Sequence, residues 1–252
     1  MSSGTYDVSS ANGGETGNVG GDMNDERVRM EARGGIRVLT LNRPDKLNAA
    51  DLPMQRSLVE CWQIIEEDDQ ARAVVLAGAG RAFCAGGDLS LVRELDAGNE
   101  TLQQELSLIH RRLLTSMLET DLPVIAAVKG AAVGFGAELL ALCDVVIMAE
   151  GAFLSDPHVT YGLRPSPACQ LVWPHLTSVA VAKELLMSGR RVEASEALRL
   201  GLINRISAPG EELTEALRLA AELAALPVSG MVAVKRAFNR PLVEQARRDG
   251  FG

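Results

Sequence analysis

From Gly34 onward the chain alternates short apolar runs with stretches of helical spacing. Ile36-Arg-Val-Leu-Thr-Leu41 reads as a strand, and Leu41-Asn-Arg-Pro-Asp-Lys-Leu-Asn-Ala49 reads as the polar turn that follows it. Met54, Leu58, Trp62 and Ile65 then recur at helical intervals. Ala73-Val-Val-Leu-Ala-Gly78 does not alternate, which predicts a strand buried on both faces. Leu102, Leu106, Ile109, Leu113 and Met117 line one face of a second helix, and Pro123-Val-Ile-Ala-Ala-Val128 reads as a second buried strand. Each of these strands runs into a glycine-rich segment: Gly80-Arg-Ala-Phe-Cys-Ala-Gly-Gly-Asp-Leu89 after the first, and Gly130-Ala-Ala-Val-Gly-Phe-Gly-Ala-Glu138 after the second. The two loops therefore hold equivalent places at strand ends, where α/β architectures commonly bind ligands.

Residues 136–143 predict a buried helix, 145–148 a short strand, and Asp156-Pro-His-Val159 an extended turn. Past Ser166 helical spacing dominates, over 179–187, 211–226 and 232–243, interrupted by Gly201-Leu-Ile-Asn-Arg-Ile206. The pattern divides the chain into a mixed α/β core at 26–195 and a helical C-terminal region at 196–252, with no short-period repeat. Residues 1–25 are rich in Gly, Ser, Asn and Thr and offer almost nothing to bury, so a flexible tail is expected there.

With 252 residues and 47% hydrophobic content the chain can bury a full core. Its 33 acidic residues outnumber 25 Lys plus Arg, giving a net charge of −8, which argues against a nucleic-acid binder. An anionic ligand must instead meet local positive groups. Cys61, Cys84, Cys143 and Cys169 are widely spaced without a CxxC pair, as expected of reduced thiols in a cytosolic protein. The apolar runs are far shorter than the roughly 20 residues of a membrane-spanning helix, and the N-terminus lacks the basic-then-apolar pattern of a secretory signal. A cytoplasmic protein without membrane or nucleic-acid partners is the expectation.

The chemistry suggested by the glycine loops is electrostatic. Glycines let backbone N–H groups approach a ligand closely, and Glu138 places a carboxylate just downstream. Glu138 falls in the first turn of a helix that continues Leu139, Leu140, Ala141 and Leu142, surroundings that are costly for a carboxylate without work or a partner. The plain alternatives are tight turns packed for shape and a solvated first-turn glutamate. Gly134-x-Gly136 lacks the third glycine of a dinucleotide loop, Cys84 has no adjacent histidine and reads as a small buried thiol, and His110 and His175 are isolated without metal-ligand spacing. No metal and no separate cofactor is expected.

Together the turn at 41–49, the loop at 80–89, the segment from Val128 to Glu138 with Cys143-Asp144, and Asp156-Pro-His-Val159 with Gly162-Leu163 resemble the crotonase family, whose type member is enoyl-CoA hydratase. The resemblance implies a spiral of ββα units with a helical C-terminal trimerisation region, assembled as a homotrimer or a dimer of trimers. It also implies an acyl-CoA thioester as substrate, with coenzyme A entering only as part of it. In that family two backbone N–H groups hold the thioester carbonyl; here they fall at Gly87 and Phe135. By the same resemblance Glu138 is the acid/base, Lys46, Leu47 and Ala49 meet the nucleotide and pantetheine, and Ala85, Asp88 and Leu89 flank the acyl pocket.

His158 departs from the pattern, since standard hydratases carry a second glutamate there to hold and activate water. An imidazole can exchange protons near neutral pH, and equally it can be a turn histidine fixed by Asp156-Pro157. Three functions follow: hydration of a 2-enoyl-CoA, double-bond isomerisation through Glu138 alone, or thioester binding with weak catalysis. Members of the family usually continue past the region matching 229–238 with a helix that helps cover coenzyme A, whereas this sequence stops at Gly252.

Overall fold

The computed structural model describes residues 27–250, so the tail expected at 1–25 lies outside the described residues. The chain opens with β1 (Val28–Arg33) and β2 (Ile36–Leu41), passes a 3-10 turn at Pro44–Lys46, and enters α1 (Leu52–Glu66). β3 (Ala73–Gly78) is followed by α2 (Leu89–Asp96) and α3 (Glu100–Glu119). β4 (Val124–Val128) and β5 (Ala131–Val133) lead to α4 (Phe135–Ala141), then β6 (Val145–Ala149), β7 (Phe153–Ser155) and a 3-10 turn at His158–Tyr161. The remainder is α5 (Pro167–Leu176), α6 (Val179–Ser188), β8 (Val192–Glu193), α7 (Ala194–Leu200), β9 (Arg205–Ser207), α8 (Glu212–Ala224) and α9 (Val228–Arg248).

The main sheet runs β1-β2-β3-β4-β6-β9, antiparallel at β1/β2 and parallel from β2 onward. A smaller sheet, β5-β7-β8, lies beside the loops that follow the central strands. Side chains alternate across the main sheet as a pleated strand requires. Leu39, Val74, Leu76 and Ala126 enter the larger core with Met54 and Trp62 of α1, Met117 of α3 and Leu139 of α4. Val38, Val75, Ala127 and Ile147 face the other way, against Ala216, Leu219 and Ala220 of α8. β3 is buried along its whole length, as its unbroken apolar run predicts.

Three local expectations change. The helix expected at 136–143 starts one residue earlier and ends at Ala141, so Phe135 is its first residue. The turn at Asp156 closes into a 3-10 helix rather than staying extended. The stretch at 196–252 is not purely helical, because β9 extends the main sheet beside β6 and α8 covers one of its faces. Within that stretch Lys235 of α9 is buried and donates to Leu122 O and to Asp144 Oδ2, both at 2.7 Å. A desolvated ammonium is tolerable only with such partners, and the contacts fasten α9 to the start of β4. Among the described residues no single helix is long and apolar enough to cross a membrane.

Candidate active site

The ends of β3 and β4 are joined by their own main chains. Phe83 N donates to Lys129 O at 2.7 Å, Cys84 N to Ala131 O at 2.9 Å, and Val133 N back to Cys84 O at 2.9 Å. Gly136 explains why the joint can close: a Cβ there would sit 2.6 Å from Cys84 O, closer than real Cβ contacts allow. Gly134 is required for a second reason, since its φ of +52° with ψ of −110° lies in a region that glycine alone enters readily. The turn after β2 is tied into the same unit by Ala85 N to Leu47 O at 3.0 Å, Ala50 N to Gly86 O at 2.7 Å, and Asp88 N to Ala50 O at 2.9 Å.

Asn48 holds that turn from inside. It is fully buried, at φ +54°, and its Nδ2 donates to Ala79 O (2.9 Å), Ala82 O (2.8 Å) and Phe83 O (3.1 Å) while Oδ1 accepts from Arg43 N at 2.8 Å. An amide combines tolerance of left-handed backbone with both donors and an acceptor. Within this stitched unit two amides stand out. Gly87 N–H and Phe135 N–H have no acceptor among the described residues, while the neighbouring amides of Asp88 and Gly134 are paired with Ala50 O and Ser155 O. For Phe135 the cause is general: the first amides of a helix have no intrahelical partner.

Both residues line one cavity of about 180 Å³, together with Ala85, Leu89, His110 and His158. Lys46, Leu47, Ala49 and Asp88 do not reach its wall. Lys46 is exposed on the 3-10 turn, and Leu47 and Ala49 are half-buried beside it. Asp88 caps α2, accepting from Ser90 N at 3.0 Å, and pairs with Arg43 at 2.9 Å. The Ser90 amide first, then Arg43, holds its carboxyl below the usual carboxylate range against the opposing effect of burial.

Glu138 is only 2% exposed, which rules out a solvated first-turn glutamate, and it is not on the cavity wall either. In front of it stands His110 of α3, with Nδ1 3.0 Å from Glu138 Oε2, off the line of a well-aligned hydrogen bond. Its other nitrogen, Nε2, lies 3.2 Å from Gln55 Oε1, and Gln55 Nε2 donates to Ala50 O at 3.4 Å, which turns the amide oxygen toward the ring. The ring also packs on Phe135, with centroids 5.5 Å apart. Both imidazole nitrogens thus face acceptors, the arrangement an imidazolium satisfies. Burial opposes that charge, but the charge and hydrogen bonding of Glu138 outweigh it and raise the His110 pKa above 6.5.

His158 has the same kind of backing. Its Nδ1 is in close contact with Asp156 Oδ1, and Asp156, 1% exposed, is fixed by Ser166 N donating to Oδ2 at 2.9 Å. With Nδ1 committed to Asp156, Nε2 is the nitrogen left for a ligand. That edge lies over the second loop, where a Cβ on Gly134 would be 3.6 Å from Cε1 and 3.9 Å from Nε2. Cys84 supplies no competing nucleophile: burial pushes its thiol up to about 12. Among the described residues no three His, Cys, Asp or Glu side chains are placed to hold a metal ion.

The family profile described as enoyl-CoA hydratase/isomerase matches residues 31–250. The chain belongs to that family. A short-chain-enoyl-CoA hydratase of Clostridium acetobutylicum is 31% identical over 84% of this chain and 81% of its own length. A solved enoyl-CoA hydratase/isomerase from Mycobacterium paratuberculosis superposes with a TM-score of 0.83 at 38% identity, covering 88% of each chain. A monofunctional enoyl-CoA isomerase from M. smegmatis superposes at 0.70 with 30% identity, over 86% of this chain and 94% of that one. The fold is therefore the crotonase fold, and the protein is a family enzyme of hydratase or isomerase type.

Sequence reasoning missed His110, Gln55 and Asn48 as site-building residues, and it named Asp156 only in the alternative of a turn that fixes His158. Asn48 lay inside a quoted motif, at the centre of the turn it holds. His110 and Gln55 carried no such signal, because helix packing alone brings them to Glu138.

Proposed function

We propose that this enzyme hydrates a 2-enoyl-CoA thioester. The observation that carries the reading is that Gly87 and Phe135, whose amides have no acceptor among the described residues, line a cavity also lined by two imidazoles, each backed by a buried carboxylate. In this reading the thioester oxygen takes both N–H bonds, and the negative charge that develops on it is stabilised by donors already in place. His158 Nε2 removes a proton from water, the oxygen adds to Cβ, and the electron pair moves through the double bond onto the thioester oxygen. The enolate then collapses as Cα takes a proton from the Glu138–His110 unit. The Asp156–His158 pair stands where a second glutamate would, so water can still be activated.

A second reading has its own support: Leu89, Leu91, Val92, Leu95 and Leu106 make much of the cavity wall apolar, which suits proton shuttling without water. Glu138 with His110 would then move a proton from Cα of a 3-enoyl thioester to its γ carbon, carrying the double bond into conjugation. Lys46 is an exposed cation suited to a coenzyme A phosphate, with Leu47 and Ala49 beside the pantetheine. Neither reaction calls for a cofactor beyond the coenzyme A of the substrate. Self-association as a trimer or dimer of trimers, in the cytoplasm, fits Val234 and Phe238 of α9, large apolar side chains left exposed by a single chain.

Absorbance of the conjugated thioester separates the cases. Loss of signal with crotonyl-CoA marks hydration, and a gain with a 3-enoyl-CoA marks isomerisation. Binding of both with no change in either sinks both reactions and leaves a thioester carrier.

A further inference from the structure

A second, larger cavity of about 470 Å³ continues from the first, sharing His110 and His158 with it. Its remaining polar wall is Gln103, Ser107, Arg111 and Arg164, and no Asp or Glu among the described side chains lines either cavity. That is unexpected in a chain whose acidic residues outnumber its basic ones by 33 to 25. Arg164 makes no ion pair or hydrogen bond among the described residues. Among the described residues the Arg111 side chain reaches only Gly250 O, at 3.2 Å, whereas the adjacent Arg112 is neutralised by Glu66 at 2.9 Å.

Accepting the assignment of the thioester to Gly87 and Phe135, on which this step rests, the direction of the acyl group follows. Lys46 and Ala49, assigned above to coenzyme A, line neither cavity, so under that assignment the nucleotide lies outside both and the acyl chain leads past the two imidazoles. It ends among guanidinium groups that have no carboxylate of their own. We propose that the larger cavity receives the distal end of the acyl group and that this end is anionic, so that the preferred substrates are mono-thioesters of dicarboxylic acids. Arg111 and Arg164 supply the planar, fork-shaped donors that fit a carboxylate. They act as specificity residues, remote from the reacting atoms.

Saturated thioesters test this without relying on turnover. Calorimetry would compare hexanoyl-CoA with adipoyl-CoA, and the corresponding eight- and ten-carbon pairs, on the full chain and on Arg111→Gln, Arg164→Gln and the double variant. The expected result is tighter binding of the dicarboxylic partner, by about tenfold or more at the chain length that spans the cavity. That preference should shrink in each variant and vanish in the double one, with hexanoyl-CoA affinity unchanged. Equal or weaker binding of the dicarboxylic partner at every length overturns the proposal, as does a preference that survives both substitutions. Equal weakening of both partners would show that the arginines hold coenzyme A phosphates instead. Failure of the catalytic reading looks different: no turnover of any enoyl-CoA, with these affinities untouched.

Discussion

The two imidazole–carboxylate pairs of the cavity are similar in make-up and are assembled by opposite routes. His158 and Asp156 are two positions apart, and one loop plus a backbone amide from Ser166 is enough to set them. His110 and Glu138 come from α3 and α4, and Gln55 of α1 and the Phe135 ring complete their setting. In both, the carboxylate is buried and the imidazole faces the cavity. The comparison teaches that the carboxylate named by the sequence is not the group a ligand meets first. It also teaches that one pair depends on local geometry and the other on the packing of three helices.

Glu138→Gln breaks the packed pair at its centre and should have the largest effect. Loss of a positioned acid/base typically costs about a hundredfold to ten-thousandfold, here in kcat with acyl-CoA affinity retained. Unchanged kcat would remove the Glu138–His110 unit from the chemistry. Asp156→Asn is the matching lesion in the local pair. It leaves the loop polar but offers Nδ1 a less favourable partner, and a backing group of this kind is worth about ten- to a hundredfold. Hydration should fall by that amount while any isomerase activity persists; an equal fall in both would erase the distinction between the pairs.

The smallest effect separates them by pH. Because the folded His110 pKa is raised above 6.5, its stabilising contribution is fully present below that value and is lost as pH rises through the raised one. Melting temperatures of the wild type and His110→Gln should therefore differ most in mildly acidic buffer and converge as pH rises from neutral into the alkaline range. A constant difference would mean that His110 serves packing alone.

What the sequence made legible follows the same division. β3 and β4, their glycine loops and Glu138 are local patterns, and each appears where its periodicity or glycine spacing puts it. His110 has no local signature: on α3 it is one polar residue next to a buried stripe, and only the approach of α4 gives it a partner. β9 was hidden because its three residues pair with a strand far away in sequence, which no short window can register. Arg111 and Arg164 read as ordinary surface charge until the shared cavity brings them together.

The central claim is that Gly87 and Phe135 present their amides to one acyl oxygen. A crystal structure with a bound, unreactive acyl-CoA tests it directly. The thioester oxygen should lie about 2.7–3.1 Å from both amide nitrogens, with His110 and His158 flanking the acyl carbons. A thioester oxygen that touches neither amide, or a ligand seated outside this cavity, would contradict the account.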